Sequence, residues 1–137
     1  MIVLDTHVWL WGAGGDERAL GSRTRRLVER SHDAVGVSTA SIFEIAALHA
    51  AGRLRLARPP DQWVRDSIRD GGLRVLELSV AAAIDAGSLP RTALADPLDR
   101  LIVATARQHD AALVTADAKI LAYAAGTKNV RVHDARR

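Results

Sequence analysis

The sequence contains no cysteine among its 137 residues. That excludes disulfide staples and thiolate metal sites, and it fits a reducing compartment such as the cytoplasm. Aromatic residues are scarce, with three Trp, one Tyr and one Phe, yet 48% of the chain is apolar. Alanine dominates that apolar set, so closely packed helices are expected and disorder is not. No apolar run is long enough to span a bilayer, so no membrane partner is expected. The opening Met-Ile-Val-Leu lacks a basic start and is cut by Asp5, which does not read as a secretory signal. Lysine is nearly absent: the basic set is 17 Arg and 2 Lys, giving a net charge of +3. Guanidinium forks suit phosphate, but an Arg- and Ala-biased composition produces the same balance in ordinary enzymes. The length suits one domain, expected to occupy residues 1–137.

What is present is an alternation of short β-like runs and helical stretches. Strands are expected at Ile2–Leu4, Val35–Val37, Leu73–Leu78, Ala111–Val114 and Val130–Val132. Helices are expected from Thr6, as a cap, into the glycines at 12, 14 and 15, and over Ser22–Arg30, Thr39–Ala51, Asp61–Asp70, Ser79–Ala86, Leu98–His109 and Lys119–Ala124. Asp96 is placed to cap the Leu98 helix, with Pro97 at its first position. The alternation predicts an α/β fold, a mainly parallel sheet with helices on both faces. Such sheets gather ligands at the carboxyl ends of their strands.

Four acids are expected at that edge. Asp5 closes the first strand, Glu44 lies in the early turns of the helix after the second, Asp99 sits in DPLDR (96–100), and Asp117 follows the fourth strand in LVTAD (113–117). Crowded carboxylates repel unless a cation neutralises them. An oxygen-only set without Cys or clustered His favours Mg²⁺ or Mn²⁺, ions that activate water in phosphodiester cleavage. Each acid has a structural alternative. Asp5 and Asp117 can cap helices, Ser41 and Glu44 fit a capping box, and the helix dipole favours Asp99 whatever its role. Convergence at one edge is the feature that capping does not require.

Among nearby hydroxyls, Thr115 is the one expected to orient a carboxylate, whereas Ser38 and Ser41 read as backbone caps. The five histidines show no metal-ligand spacing, and His7 reads as a partly buried helix residue. Trp9, Trp11 and Trp63 suit core or interface packing better than base stacking. The glycine cluster at 12, 14 and 15 follows a helix, so it is no phosphate loop.

IVLDTHVWLW (2–11), STASIFEIAAL (38–48), LADPLDRLIVATA (94–106) and LVTAD (113–117) occur in the order seen in PIN domains. The chain resembles the VapC-like toxins of type II toxin–antitoxin systems along essentially its whole length. The resemblance implies a three-layer α/β/α fold and an Mg²⁺ or Mn²⁺ site. It implies endonucleolytic cleavage of RNA and inhibition by a small cognate antitoxin. By motif match, Asp5, Glu44, Asp99 and Asp117 take the acidic positions, Thr115 the hydroxyl position, and Asp96 belongs to the same motif. Related sequences often carry Lys four residues beyond the motif glutamate, where this chain has Leu48. A homodimer is expected, because Trp9, Leu10, Trp11 and Trp63 exceed the needs of a small core and family members commonly dimerise.

Other functions fit less well. A haloacid-dehalogenase-like phosphatase needs a second Asp two residues after the first, where His7 stands. A phosphoacceptor receiver needs an acidic pair after strand one and an Asp after strand three, and neither is present. A catalytically silent PIN-like module for RNA or protein binding would be signalled by loss of an acid, and none is lost.

Overall fold

Asp5 and Asp117 sit at the same edge of the fold because of how five short strands are ordered. A computed structural model describes residues 1–14 and 16–137. Its sheet comprises β1 (Ile2–Leu4), β2 (Val35–Ser38), β3 (Arg74–Leu76), β4 (Ala112–Thr115) and β5 (Val132–Asp134). The order is β3-β2-β1-β4-β5, and every neighbouring pair is parallel. Leu4 of β1 stands opposite both Val37 of β2 and Val114 of β4. The residues that follow these strands therefore emerge side by side.

The central strand is buried at all three positions, as expected where helices cover both faces. Val3 points into one core with Ala82, Ile102, Leu113 and Ile120. Ile2 and Leu4 point into the other with Trp9, Leu20, Ile45 and Trp63. The first core is roofed by α5 (Val80–Ser88), α6 (Pro97–Gln108) and α7 (Ala118–Thr127), and the second by α1 (Thr6–Gly12), α2 (Ser22–Arg30) and α4 (Pro60–Gly71). α3 (Thr39–Ala50) feeds both, with Ala40 in one core and Ile45 in the other. The result is the expected three-layer α/β/α arrangement. Gly15, expected within the helix-ending glycine cluster, lies outside the described residues.

Several local expectations differ from the structure. The N-cap of α1 is Asp5, whose carboxylate accepts the Thr6 N–H; Thr6 is the first helical residue. The capping box at Ser41 and Glu44 does not form. Ser38 caps α3 through the Ala40 N–H, and Ser41 instead accepts a hydrogen bond from Thr6 Oγ1 at 2.9 Å. β3 stops at Leu76 because the chain then leaves the ladder: the Leu78 N–H goes to Thr39 Oγ1, and Ser79 caps α5. β5 begins two residues later than expected, at Val132. α7 runs on to Thr127, where Lys128 takes a left-handed conformation (φ 56°) and ends it.

Candidate active site

Asp5 is held from two sides. Its Oδ1 accepts the Thr6 N–H at 2.8 Å and its Oδ2 accepts the Thr115 hydroxyl at 2.6 Å. The carboxylate is 7% exposed. Burial pushes its pKa above the ordinary value, while the bonds from Thr115 and Thr6 favour the ionised form and oppose that shift. Thr115 closes β4 and is fully buried. While donating to Asp5 it accepts the N–H of Asp117 at 3.0 Å, so one hydroxyl ties the first acid to the turn that carries the last.

Asp117 caps α7 by accepting the Lys119 and Ile120 N–H groups at 2.8 and 3.1 Å. Asp96 caps α6 by accepting the Leu98 N–H at 2.9 Å. Capping and membership of the acidic cluster are thus compatible in the same residues. Asp99, in the first turn of α6, carries the largest electrostatic load. Its pKa is pushed up to about 7, first by burial and then by the charges of Asp117, Asp96, Asp5 and Glu44. Five acids from four separate stretches of chain therefore act on one another at the carboxyl edge of the sheet. Glu44 is half-buried on α3.

The donor chemistry fits a hard divalent cation. Every candidate ligand is oxygen, and the mutual repulsion recorded at Asp99 is what a cation relieves. Among the described residues no group of three or more His, Asp or Glu side chains is placed to hold a metal ion together. An Mg²⁺-sized ion suits an open site, since it keeps several waters and takes few carboxylates directly.

A groove of about 800 Å³ opens beside the acids and includes Glu44 and Asp96 in its wall. Of its other contributors, His7, Trp11, Trp63 and Leu48 stand out in the sequence and Arg53 and Arg55 do not. His7 is exposed rather than partly buried, and its ring lies 6.3 Å from that of Trp11. Leu48 lies in the groove wall, and the cations there are Arg53 and Arg55, past the end of α3. The spacing of His7 and Trp11, four apart on one helix, was the available signal; nothing local marked Arg53 and Arg55. The three tryptophans separate by role. Trp9 and Trp63 are buried with ring centroids 5.7 Å apart, and Trp9 Nε1 donates to Ser67. Trp11 alone is half-exposed.

Known proteins share this fold. The PIN domain family matches residues 2–126. Ribonuclease VapC22 of Mycobacterium tuberculosis is 33% identical over 119 residues, covering 87% of this chain and 88% of its own. Among solved structures, VapBC2 of Rickettsia felis bound to a promoter DNA fragment superposes with a TM-score of 0.68 at 17% identity, covering 97% of this chain and 98% of that one. FitAcB of Neisseria gonorrhoeae gives 0.65 at 22% identity, covering 98% and 97%. The likeness to these structures concerns the fold, and the family match runs from β1 to the last turn of α7. The chain belongs to the PIN-domain family.

Proposed function

We propose that the chain is a divalent-metal-dependent endoribonuclease, the toxin of a toxin–antitoxin pair, acting as one PIN-like unit over residues 1–137 in the cytoplasm. The observation that carries this reading is the convergence of Asp5, Glu44, Asp99 and Asp117 at one sheet edge, with Asp99 raised to about 7 by burial and by its acidic neighbours. The parallel fold fixes the edge, but the repulsion that the neighbouring acids impose on Asp99 there is a cost that a bound cation would relieve. The relative named a ribonuclease supports the same activity.

Asp5 and Asp99 would hold Mg²⁺ or Mn²⁺, assisted by Glu44 and Asp117, and the ion would supply an activated water and positive charge beside an RNA phosphate. The chain's own groups do the positioning. Thr115 holds Asp5 in one rotamer through its 2.6 Å bond and anchors the Asp117 turn through the 3.0 Å bond it accepts. Asp99, pushed up to about 7 by burial and its acidic neighbours, would hold the ion in its deprotonated form. The N-termini of α1 and α7, capped by Asp5 and Asp117, offset part of the negative charge.

Two surfaces suit protein partners. A second groove of about 590 Å³ lies against α1, α2 and α4, with Val8, Trp9 and Leu20 among its apolar residues and Arg25 and Glu29 beside them. It shares Gly14 and Trp63 with the groove beside the acids, so an antitoxin segment seated there reaches toward the carboxylates. The solved toxin–antitoxin complex from Klebsiella pneumoniae, with a TM-score of 0.67, is in keeping with such a partner. The homodimer rests on different residues from those first considered, because Trp9 and Trp63 belong to the core. Phe43, Leu78, Val80 and Ile84 are exposed, and the Leu78 N–H to Thr39 bond draws the starts of α3 and α5 together. This apolar face suits a second copy.

The test is cleavage of single-stranded RNA by purified protein with Mn²⁺, with EDTA, and by Asp5→Asn. Activity lost with both EDTA and the variant supports the reading. A folded wild type that binds RNA but never cuts it supports the silent PIN-like module instead.

A further inference from the structure

The groove beside the acids holds a combination that metal chemistry does not use. Trp11 and His7 meet at an interplanar angle of 57°, a tilted contact rather than a parallel stack. Trp11 packs against the second core on one side and is partly exposed in the groove wall on the other, whereas Trp9 and Trp63 are buried. Arg53 and Arg55 also belong to that wall, and among the described residues neither forms an ion pair. Glu44 and Asp96 place the acids at the same groove. From Glu44 to the end of α3 at Ala50 the helix rises about 9 Å, which sets the scale of the distance from the acids toward the arginines.

A partly exposed indole, two guanidinium groups without an ion pair and the proposed cleavage site in one groove match a single-stranded polynucleotide, whose bases stack and whose phosphates carry charge. A duplex keeps its bases stacked inside and offers none to an indole. We propose that this groove is a single-stranded RNA subsite in which one unpaired base stacks on Trp11 while the adjoining phosphates lie against Arg53 and Arg55. The proposal deepens the nuclease reading and rests on it. The wall also carries Asp16, Glu44 and Asp96; the two guanidinium groups without an ion pair are what favours an anionic RNA strand as the occupant.

The experiment measures binding in EDTA, where cleavage is off, using a single-stranded RNA oligonucleotide, the same oligonucleotide with one abasic position scanned along it, and an RNA duplex. Binding is read with the wild type, Trp11→Ala, Trp11→Phe and the double variant Arg53→Gln/Arg55→Gln. Loss of one stacked base reads as roughly 5- to 100-fold in Kd. Trp11→Ala should lose affinity in that range and Trp11→Phe far less. An abasic site at one position should weaken the wild type but add nothing to Trp11→Ala. The double arginine variant, whose changes are on exposed side chains, should bind more weakly and with a shallower salt dependence. Equal affinity for duplex and single strand overturns the proposal, as does an abasic scan that treats wild type and Trp11→Ala alike. If Trp11→Ala fails to fold, the arginine pair and the wild-type abasic scan decide, and a flat scan overturns it. Variants that keep RNA binding but lose binding of a cognate antitoxin segment assign the groove to the peptide and also overturn it. Base-dependent binding by a wild type that does not cut RNA in Mn²⁺ would retain the subsite and remove the nuclease.

Discussion

Thr115 has one hydroxyl and uses it in both directions, donating to Asp5 and accepting from the Asp117 N–H. Thr115→Val keeps the shape and removes both bonds. Hydrogen bonds to charged groups contribute about 1.5–3 kcal/mol, so urea unfolding should show a loss in that range, and RNA cleavage should fall because Asp5 is no longer fixed. A variant as stable and as active as the wild type would mean that Thr115 orients nothing. Asp5→Asn should be folded and inactive, as read by circular dichroism beside the cleavage assay. Asp99 carries the pH dependence. The folded protein holds its proton up to about 7, whereas the unfolded chain releases it near the ordinary aspartate value of 3.8. Without metal, its contribution to stability is therefore complete below the unfolded value and is lost as pH rises toward 7. Asp99→Asn removes that loss. Its melting temperature relative to wild type should climb from pH 4 to pH 8 in EDTA and then level off, and a flat difference would contradict the burial and repulsion assigned to Asp99.

At the scale of elements, the Leu76 side chain of β3 lies over Gly36 of β2 and would have to shift to admit a Cβ there. A Cβ built at Gly36 would lie 2.6 Å from Leu76 Cδ1 and 3.0 Å from its Cγ. Gly36→Ala should destabilise the protein by about 1–3 kcal/mol, the usual range for overpacking, and thermal melting reads the difference directly. The order of strands and helices was legible in the sequence because apolar runs and cap residues are local signals. The acids were legible for a related reason: in a parallel sheet, a residue just after a strand or early in the next helix has little choice of edge. What a hydroxyl bonds to was less legible. Ser41 and Glu44 have capping-box spacing, but Ser38 occupies the cap one residue before α3, leaving Ser41 to meet Thr6, 35 residues away in sequence. The length of β3 was misjudged because Leu73 and Leu78 look like strand residues, while the long-range bond from Leu78 to Thr39 ends the ladder. Arg53 and Arg55 join the groove only through the path of the chain after α3, which no nearby pattern encodes.

At the scale of the whole molecule, the large apolar residues exposed among the described residues are Phe43, Val75, Leu78, Val80 and Ile84, together with Met1. If Phe43, Val80 and Ile84 meet a second copy, Ile84→Glu should yield monomers in sedimentation at micromolar concentration without a change in fold, and a wild type that is itself monomeric would remove the dimer. The carboxyl edge of the sheet is the feature to which the layers, caps and grooves all lead. Its proposed chemistry uses water as the nucleophile, so the two cut ends of an RNA strand are fixed in advance. The most direct measurement is end-group analysis of a short RNA cleaved by the purified protein, with Mn²⁺ and with EDTA. A 5′-phosphate and a 3′-hydroxyl, formed with Mn²⁺ and absent with EDTA, are the result this account predicts. A 2′,3′-cyclic phosphate formed equally well in EDTA would mean that the ribose hydroxyl attacks, and would contradict the role given to Asp5, Glu44, Asp99 and Asp117.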